Sequence, residues 1–526
     1  MPDSNPVLSS AVKFYIVPLL LFAILATGIY PFYQYRIVSD DFSYLEIAQR
    51  YLNGDYKTAI NGYWSPLNIW ILVLWVKLTG MSLLPASYVI NCISFAGLIA
   101  MVIRLSGRFI SGTFEKMGLG ICLAFFCALN VPVTHFADAM NCTLLLICFD
   151  IITSRNFLSK PLLWVLWGFM AAIAYFSKAY SFYVLPLTLA LALCILLKKE
   201  HRLHFKTWAR IFFVSVGCMI LFSFPWICML HQKYGLWAVS TAGGVNTNWA
   251  ISSHIYFGDA YSVIVPPAYP DGLSCWEDPF LHQGKMLSPF GSVHLLLKQV
   301  FRMFMNALNW FRVIESFSPL YFPVWLAGLI FLFRQKAKDM ESKWSVLIMA
   351  FLIFPAGYLT LSFGTRYLWF TVPLVMLLGL YFSGRYLSSY LKPVYYKIFL
   401  ILYFISWLPG SLQDMKLMFN EGKNEYETAQ TIRTLNVHGS FISNIYDNYQ
   451  TGFRLSYFTR NPFYMHFGDN WTTKELLQEA RRQNVQYYYY FYQGANDTYQ
   501  LLNENGNPYP EVSEGKLEGL KIFKLD

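Results

Sequence analysis

The chain has 526 residues, 56% of them hydrophobic and 13% charged, with a mean hydropathy of +0.39. A soluble domain carries about 25% charged residues, so this composition excludes a soluble enzyme, a coiled coil and a disordered scaffold. The net charge of +10 does not point to nucleic acid, because many of the cations lie between apolar segments, as the positive-inside rule expects of a membrane protein.

A spanning helix needs about 20 mostly apolar residues. The first expected span is 14–32, which lacks a small-residue cleavage site and reads as an anchor. Next, Phe42, Leu45, Ala48 and Leu52 recur at three- and four-residue spacing, which predicts an amphipathic helix from Asp40 along the membrane surface. The apolar stretch 66–78 is short, about 13 residues, and reads as interfacial or re-entrant rather than spanning. Further spans are expected at 82–103, 117–132, 140–153, 161–177, 181–197, 209–230, 319–333, 344–362, 367–383 and 395–410.

Basic loops set the orientation. With 66–78 not spanning, loops 104–116, 154–160, 198–210, 334–343 and 384–397 share the side of the N-terminus and should be cytoplasmic. The expectation is therefore a polytopic α-helical membrane protein of eleven spans, N-terminus inside and C-terminus outside. Segments 34–81, 231–318 and 411–526 then lie outside the cytoplasm. Residues 1–410 form the membrane domain, and 411–526 a small extracytoplasmic α/β domain. The order predicted there is helix 425–435, strand 440–445, helices 448–458 and 473–483, strand 485–492 and strand 520–525. Eight of nine cysteines fall in apolar segments, so no disulfide or zinc framework is implied.

Conspicuous charges gather at the outer face. Asp40 and Asp41 open the amphipathic helix, where the dipole favours an anion; simple capping by the first acid is the bland alternative. Asp138 lies in a very short outer loop with His135, and an acid so close to the bilayer is usually paired or functional. Lys178 and Arg366 occupy outer hairpins at lipid-phosphate depth. They offer a point charge and a bidentate fork to a phosphate, with interfacial snorkelling as the alternative. In loop 231–318, Trp276 and Tyr269 are available to stack on a sugar. The histidines there (His231, His254, His282, His294) are too scattered for a metal site.

Five elements of the sequence carry a family likeness. Asp40-Asp41-x-x-Tyr44-x-x-x-Ala48-x-Arg50-x-x-x-Gly54-Asp55 resembles the first outer-loop signature of the GT-C glycosyltransferases, the protein O-mannosyltransferases and lipid A aminoarabinose transferases. Those relatives usually read Asp-Glu where this chain has Asp40-Asp41. Tyr63-Trp64-Ser65-Pro66-Leu67 resembles their His-Pro-Pro-Leu segment, without its His and first Pro. Asp138, the run Gly168 to Lys178, and Arg366-Tyr367 with Pro373 follow in the family's order, so the likeness reaches to about residue 410.

The resemblance implies a GT-C fold and an inverting sugar transfer at the outer face of the bacterial inner (plasma) membrane. The donor is a polyprenyl-phosphate-linked sugar, and the acceptor a glycolipid, glycan or protein. Asp40 is implied as general base, with Asp41 and Asp138 beside it, and Lys178 and Arg366 as phosphate ligands. Tyr44, Tyr63, Trp64, His135, Tyr367 and Trp276 are read as substrate-binding. Some members use a divalent metal, and the three acids offer hard oxygen ligands suited to Mg²⁺ or Mn²⁺. Membrane lipids are the surroundings, nucleic acid is not a partner, and the chain is read as a monomer. The rival reading is a transporter or flippase of lipid-linked sugars. Transporters place charges at mid-membrane, often in repeated halves, and no repeat is seen here.

Overall fold

The computed structural model describes residues 6–134, 136–199, 204–252, 264–284, 286–334, 342–361, 364–445, 449–466, 472–492, 499–503 and 505–525. Helix α1 (Pro6–Ile29) precedes α2 (Ser39–Leu52), the single turn α3 (Tyr56–Ala59) and α4 (Pro66–Thr79). Apolar helices follow: α5 (Leu83–Phe109), α6 (Thr113–Asn130), α7 (Phe136–Ile152), α8 (Pro161–Ser177), α9 (Ser181–Lys199) and α10 (Phe205–Tyr234). After α11 (Ala242–Ile251) and β1 (Ile264–Val265) come α12 (Val293–Phe317), α13 (Tyr321–Arg334), α14 (Ser342–Ile353), α15 (Thr371–Arg385) and α16 (Pro393–Ile405). The chain continues through α17 (Pro409–Leu417), α18 (Lys423–Thr434), β2 (Phe441–Ser443) and α19 (Tyr449–Thr459). It closes with β3 (Met465–His466), α20 (Thr473–Arg482), β4 (Tyr487–Phe491) and β5 (Leu520–Lys524).

Two compact units result. The first comprises Met1–Pro31, Ser65–Ser240 and Leu296–Phe419, and is helical. Its core is a continuous apolar cluster running from Phe22 on α1 to Trp407. Close approach is bought with small residues, as membrane helices require: a Cβ on Gly168 of α8 would stand 2.3 Å from the Ser215 carbonyl oxygen of α10. Among the described residues, seven helices are long and apolar enough to cross a membrane, or eight if α12 and α13, bent by 119°, count as one span. Each of the expected spans overlaps a helix, although α7, α8, α13, α14, α15 and α16 are 17 residues or shorter. Stretch 66–78 forms α4, started by Pro66 at its first turn and ended by Gly80 in the left-handed conformation at φ 70°. This is the Pro-in, Gly-out pattern of an ordinary helix.

One long helix was not anticipated. Residues 293–317, which the sequence places in loop 231–318, form α12, 25 residues long. Polar and apolar residues alternate along it at helical spacing, so no continuous apolar run announces it.

The second unit gathers Phe32–Trp64, Thr241–Leu295 and Asn420–Asp526. Its main sheet has the order β2-β4-β5, with β2 parallel and β5 antiparallel to β4. Both faces of β4 are buried: Tyr488 and Tyr490 lie in a core with Ile442, Leu476, Leu477 and Phe523, and Tyr489 stacks on Phe441 with centroids 4.2 Å apart. Helix α20 is started by a capping box in which the Thr472 hydroxyl accepts from the Glu475 amide at 3.2 Å. Strand β1 pairs with β3, Ile264 opposite His466. The unit is thus assembled from three stretches of chain, one from each of the three outer segments of the sequence reading.

Candidate active site

In the helical unit, Asp138 sits in the first turn of α7 and is 5% exposed. Lys178 is the C-cap of α8, its amide bonded to the Ala174 carbonyl at 2.9 Å. Its ammonium forms an ion pair with Asp138 Oδ1. The other oxygen, Oδ2, is buried with no hydrogen-bond partner among the described residues. Lys178 Nζ also stands 5.0 Å from the centroid of the Tyr367 ring, and the Arg366 guanidinium lies at the same distance from that ring. Cations over aromatic faces are attracted by the ring quadrupole. Tyr367 in turn stacks on Tyr358 with centroids 4.4 Å apart.

These side chains line a narrow cleft with Asn141, Cys142, Phe354, Trp369 and Phe370. The Asn141 amide oxygen accepts from Ser181 at 2.8 Å. Two cations against one carboxylate leave the cleft formally positive. Between α14 and α15 the described residues form turns and two short 3-10 helices, Tyr358–Thr360 and Thr365–Leu368, and Tyr180 braces the first part of that segment. Its hydroxyl donates to the Phe354 carbonyl at 2.7 Å and accepts from the Gly357 amide at 3.2 Å. Gly357 lies so close to the Tyr180 ring that a Cβ there would collide with it.

In the second unit, Asp40 and Asp41 occupy the first turn of α2, whose N-cap is Val38. Capping by the first acid is therefore not the geometry adopted. Both acids are part-exposed, whereas Phe42 to Ala48 are buried. Several of the aromatic residues expected around them make contacts within the unit. Trp276 lies flat on Trp249 (5.5 Å, 11°), and its carbonyl accepts from Ser43 Oγ at 2.8 Å and Trp64 Nε1 at 2.9 Å. Tyr44 meets Trp64 edge-on, and the Tyr63 hydroxyl donates to Asn246 at 3.1 Å. His135 and His254 lie outside the described residues.

A buried ionic cluster in this unit escaped the sequence reading. Arg50 is ion-paired with Glu277 (2.8 Å), Asp271 (3.2 Å) and Asp55 (3.2 Å), and lies over the Tyr269 ring at 4.4 Å. Tyr269 donates to Asp278 at 2.9 Å, so both its ring and its hydroxyl are engaged. Burial pushes the Glu277 carboxyl up to about 7, against the pull of Arg50. Burial pulls Arg50 down, but the charge of and hydrogen bond to Glu277, together with those of Asp271, move it up overall. A second pair, Glu46 with Arg460, is bidentate at 2.6 and 2.9 Å, and burial raises Glu46. Arg50 and Asp55 stand in the Asp40–Asp55 signature, but nothing local in the sequence pairs Arg50 with Asp271 and Glu277 or Glu46 with Arg460.

Among the described residues no group of three or more His, Cys, Asp or Glu is arranged to hold a metal ion. No family model and no curated protein matches the sequence. Solved structures do match. A crystal structure of ArnT from Cupriavidus metallidurans bound to undecaprenyl phosphate aligns over 98% of each chain, with a TM-score of 0.56 and 12% identity. The fold is that of ArnT. The apo structure of ArnT aligns over 99% of each chain at a TM-score of 0.54 and 11% identity. The likeness read from the Asp40-Asp41 motif is thus met at the level of architecture. The protein is a polytopic helical membrane protein of that fold. At this identity the match to ArnT carries the fold and no residue roles.

Proposed function

We propose that the protein is a membrane glycosyltransferase that moves a sugar from a polyprenyl-phosphate carrier to a hydroxyl acceptor at the outer face of the plasma membrane. The observation that carries this reading is the fold shared over the whole chain with a transferase that binds undecaprenyl phosphate. The formally positive cleft of Lys178, Arg366 and Asp138 supports it independently. In the proposed reaction the acceptor oxygen attacks the anomeric carbon while the bond from that carbon to the phosphate oxygen breaks. The leaving polyprenyl phosphate keeps the electron pair, and a single displacement inverts the anomeric centre. Lys178 and Arg366 neutralise the phosphate as its charge grows, an interaction strongest in the transition state. Asp40 takes the acceptor proton, a step worth about 10²–10⁴-fold for a placed carboxylate. It stands part-exposed in the first turn of α2.

The test is mass spectrometry of envelope glycolipids and glycoproteins from cells with no copy, wild type, or Asp40→Asn at equal expression. We expect one sugar mass that appears with wild type and disappears with Asp40→Asn, which also identifies the acceptor. A variant that restores the product removes Asp40 as base and shifts the role to Asp41. An unchanged product set in all three strains leaves transport of lipid-linked sugars as the reading.

A further inference from the structure

The helix that the sequence did not announce, α12, is amphipathic in an inverted sense. Gln299, Arg302 and Asn306 share one face, and Gln299 and Asn306 are buried. About half a turn away, Leu297, Val300, Phe301, Phe304, Leu308 and Phe311 are exposed. Polar residues inward and apolar residues outward suit a helix bathed in lipid rather than water.

The inward face meets one short piece of backbone. Gln299 Nε2 donates to the Thr360 carbonyl at 2.6 Å, and Arg302 Nε to the Leu361 carbonyl at 2.6 Å. Asn306 Nδ2 donates to the Leu359 carbonyl at 2.8 Å. All three acceptors lie in the irregular segment that follows α14 and carries the turns Tyr358–Thr360 and Thr365–Leu368. In a bilayer, non-helical backbone is tolerated where it is buried in protein or lines a cavity and where other groups satisfy it. This segment supplies Tyr358, Arg366 and Tyr367 to the positive cleft. Helix α12 supplies the donors that let it remain unwound.

We propose that Gln299, Arg302 and Asn306 are positioning residues for the donor phosphate, holding 359–361 so that Tyr358, Tyr367 and Arg366 stand beside Lys178 and Asp138. The proposal rests on the reading of that cleft as the phosphate site. None of the three needs to touch substrate. Their effect passes through the stack of Tyr358 on Tyr367 and through the Arg366 guanidinium over the Tyr367 ring.

The experiment uses the purified full chain in phosphatidylcholine nanodiscs, with undecaprenyl phosphate as the probe. Wild type, Asn306→Leu, Arg302→Leu, Arg302→Lys, Arg366→Gln and the double variant Asn306→Leu/Arg366→Gln are compared. Two quantities are read: the Kd for the probe, and hydrogen exchange at 357–361 and 364–368. Loss of one such hydrogen bond should weaken binding by about two- to tenfold. Exchange should rise in these segments alone, and Arg302→Lys should recover part of the affinity. In the Arg366→Gln background Asn306→Leu should cost little more, because both act through one group. Should Asn306→Leu fail to fold, half-buried Arg302 carries the same comparison. Unchanged exchange, or raised exchange with affinity lost additively to Arg366→Gln, overturns the proposal. Wild type that does not bind the probe overturns the phosphate reading itself, an outcome distinct from loss confined to the variants.

Discussion

At the scale of single residues, the protein repeatedly buries charge against charge. Removing one partner of such a pair is expensive, about 3–5 kcal/mol, because the other is left stranded. That is reason enough for Asp138 and Lys178 to stay together without substrate, and a phosphate arriving in the cleft offers Lys178 a second anion. Glu277 makes a sharper prediction. Its carboxyl is held near 7 by burial, whereas an unfolded glutamate titrates near 4.3. Between those values the folded state binds more protons than the unfolded, so stability falls as pH rises through the window and levels off above it. Burial shifts Glu46 in the same direction. His282, pushed down to about 4 by burial, contributes the opposite slope. Unfolding temperatures of the full chain from pH 5 to 8 should therefore decline more steeply for wild type than for Glu277→Gln. Parallel curves would count against a raised Glu277.

At the scale of elements, the decisive feature is how closely helices approach. Gly168 reads in sequence as one small residue in an apolar run. In the structure a Cβ there would meet the Ser215 carbonyl at 2.3 Å and Cys218 Cβ at 2.6 Å, and the first of these is backbone that cannot rotate away. Gly168→Val is expected to separate α8 from α10 and cost about 1–3 kcal/mol or more, lowering the unfolding temperature. Gly217→Ala on α10 is the matched control. A Cβ there meets nothing within 4 Å, and alanine is the better helix former by about 1 kcal/mol. Equal effects from the two substitutions would show that close packing is not what Gly168 provides. Helix α12 makes the complementary point: its outward face looks like a core and its inward face like a surface, so the direction of burial came from context.

At the scale of the whole molecule, neither unit is continuous in sequence. In the second unit, buried Arg454 donates to the Ile37 carbonyl at 2.9 Å, and Phe453 packs on Phe42 with centroids 5.0 Å apart. The Phe463 amide donates to the Leu273 carbonyl at 2.7 Å. Residues 411–526 expressed alone lack every one of those partners. We expect the fragment to show no cooperative unfolding transition, whereas a sharp transition by circular dichroism would mean that the sheet β2-β4-β5 suffices for folding.

The sequence by itself determined the elements whose signals are local. Apolar runs became helices, the aromatic run 485–492 became β4, the alternation of 520–525 became β5, and Thr472 with Glu475 started α20, since local pattern and capping act within a few residues. The Asp40-Asp41 motif and the order of charges also led to the architecture later matched over the whole chain. Tertiary structure alone decided which charges meet. Asp138 and Lys178 are 40 positions apart, and Arg50 and Glu277 are 227 apart. Tertiary structure also turned the polar face of α12 inward. An ion pair or a buried amide is favourable only when the fold has already removed water and delivered a partner, and no window of sequence contains that partner.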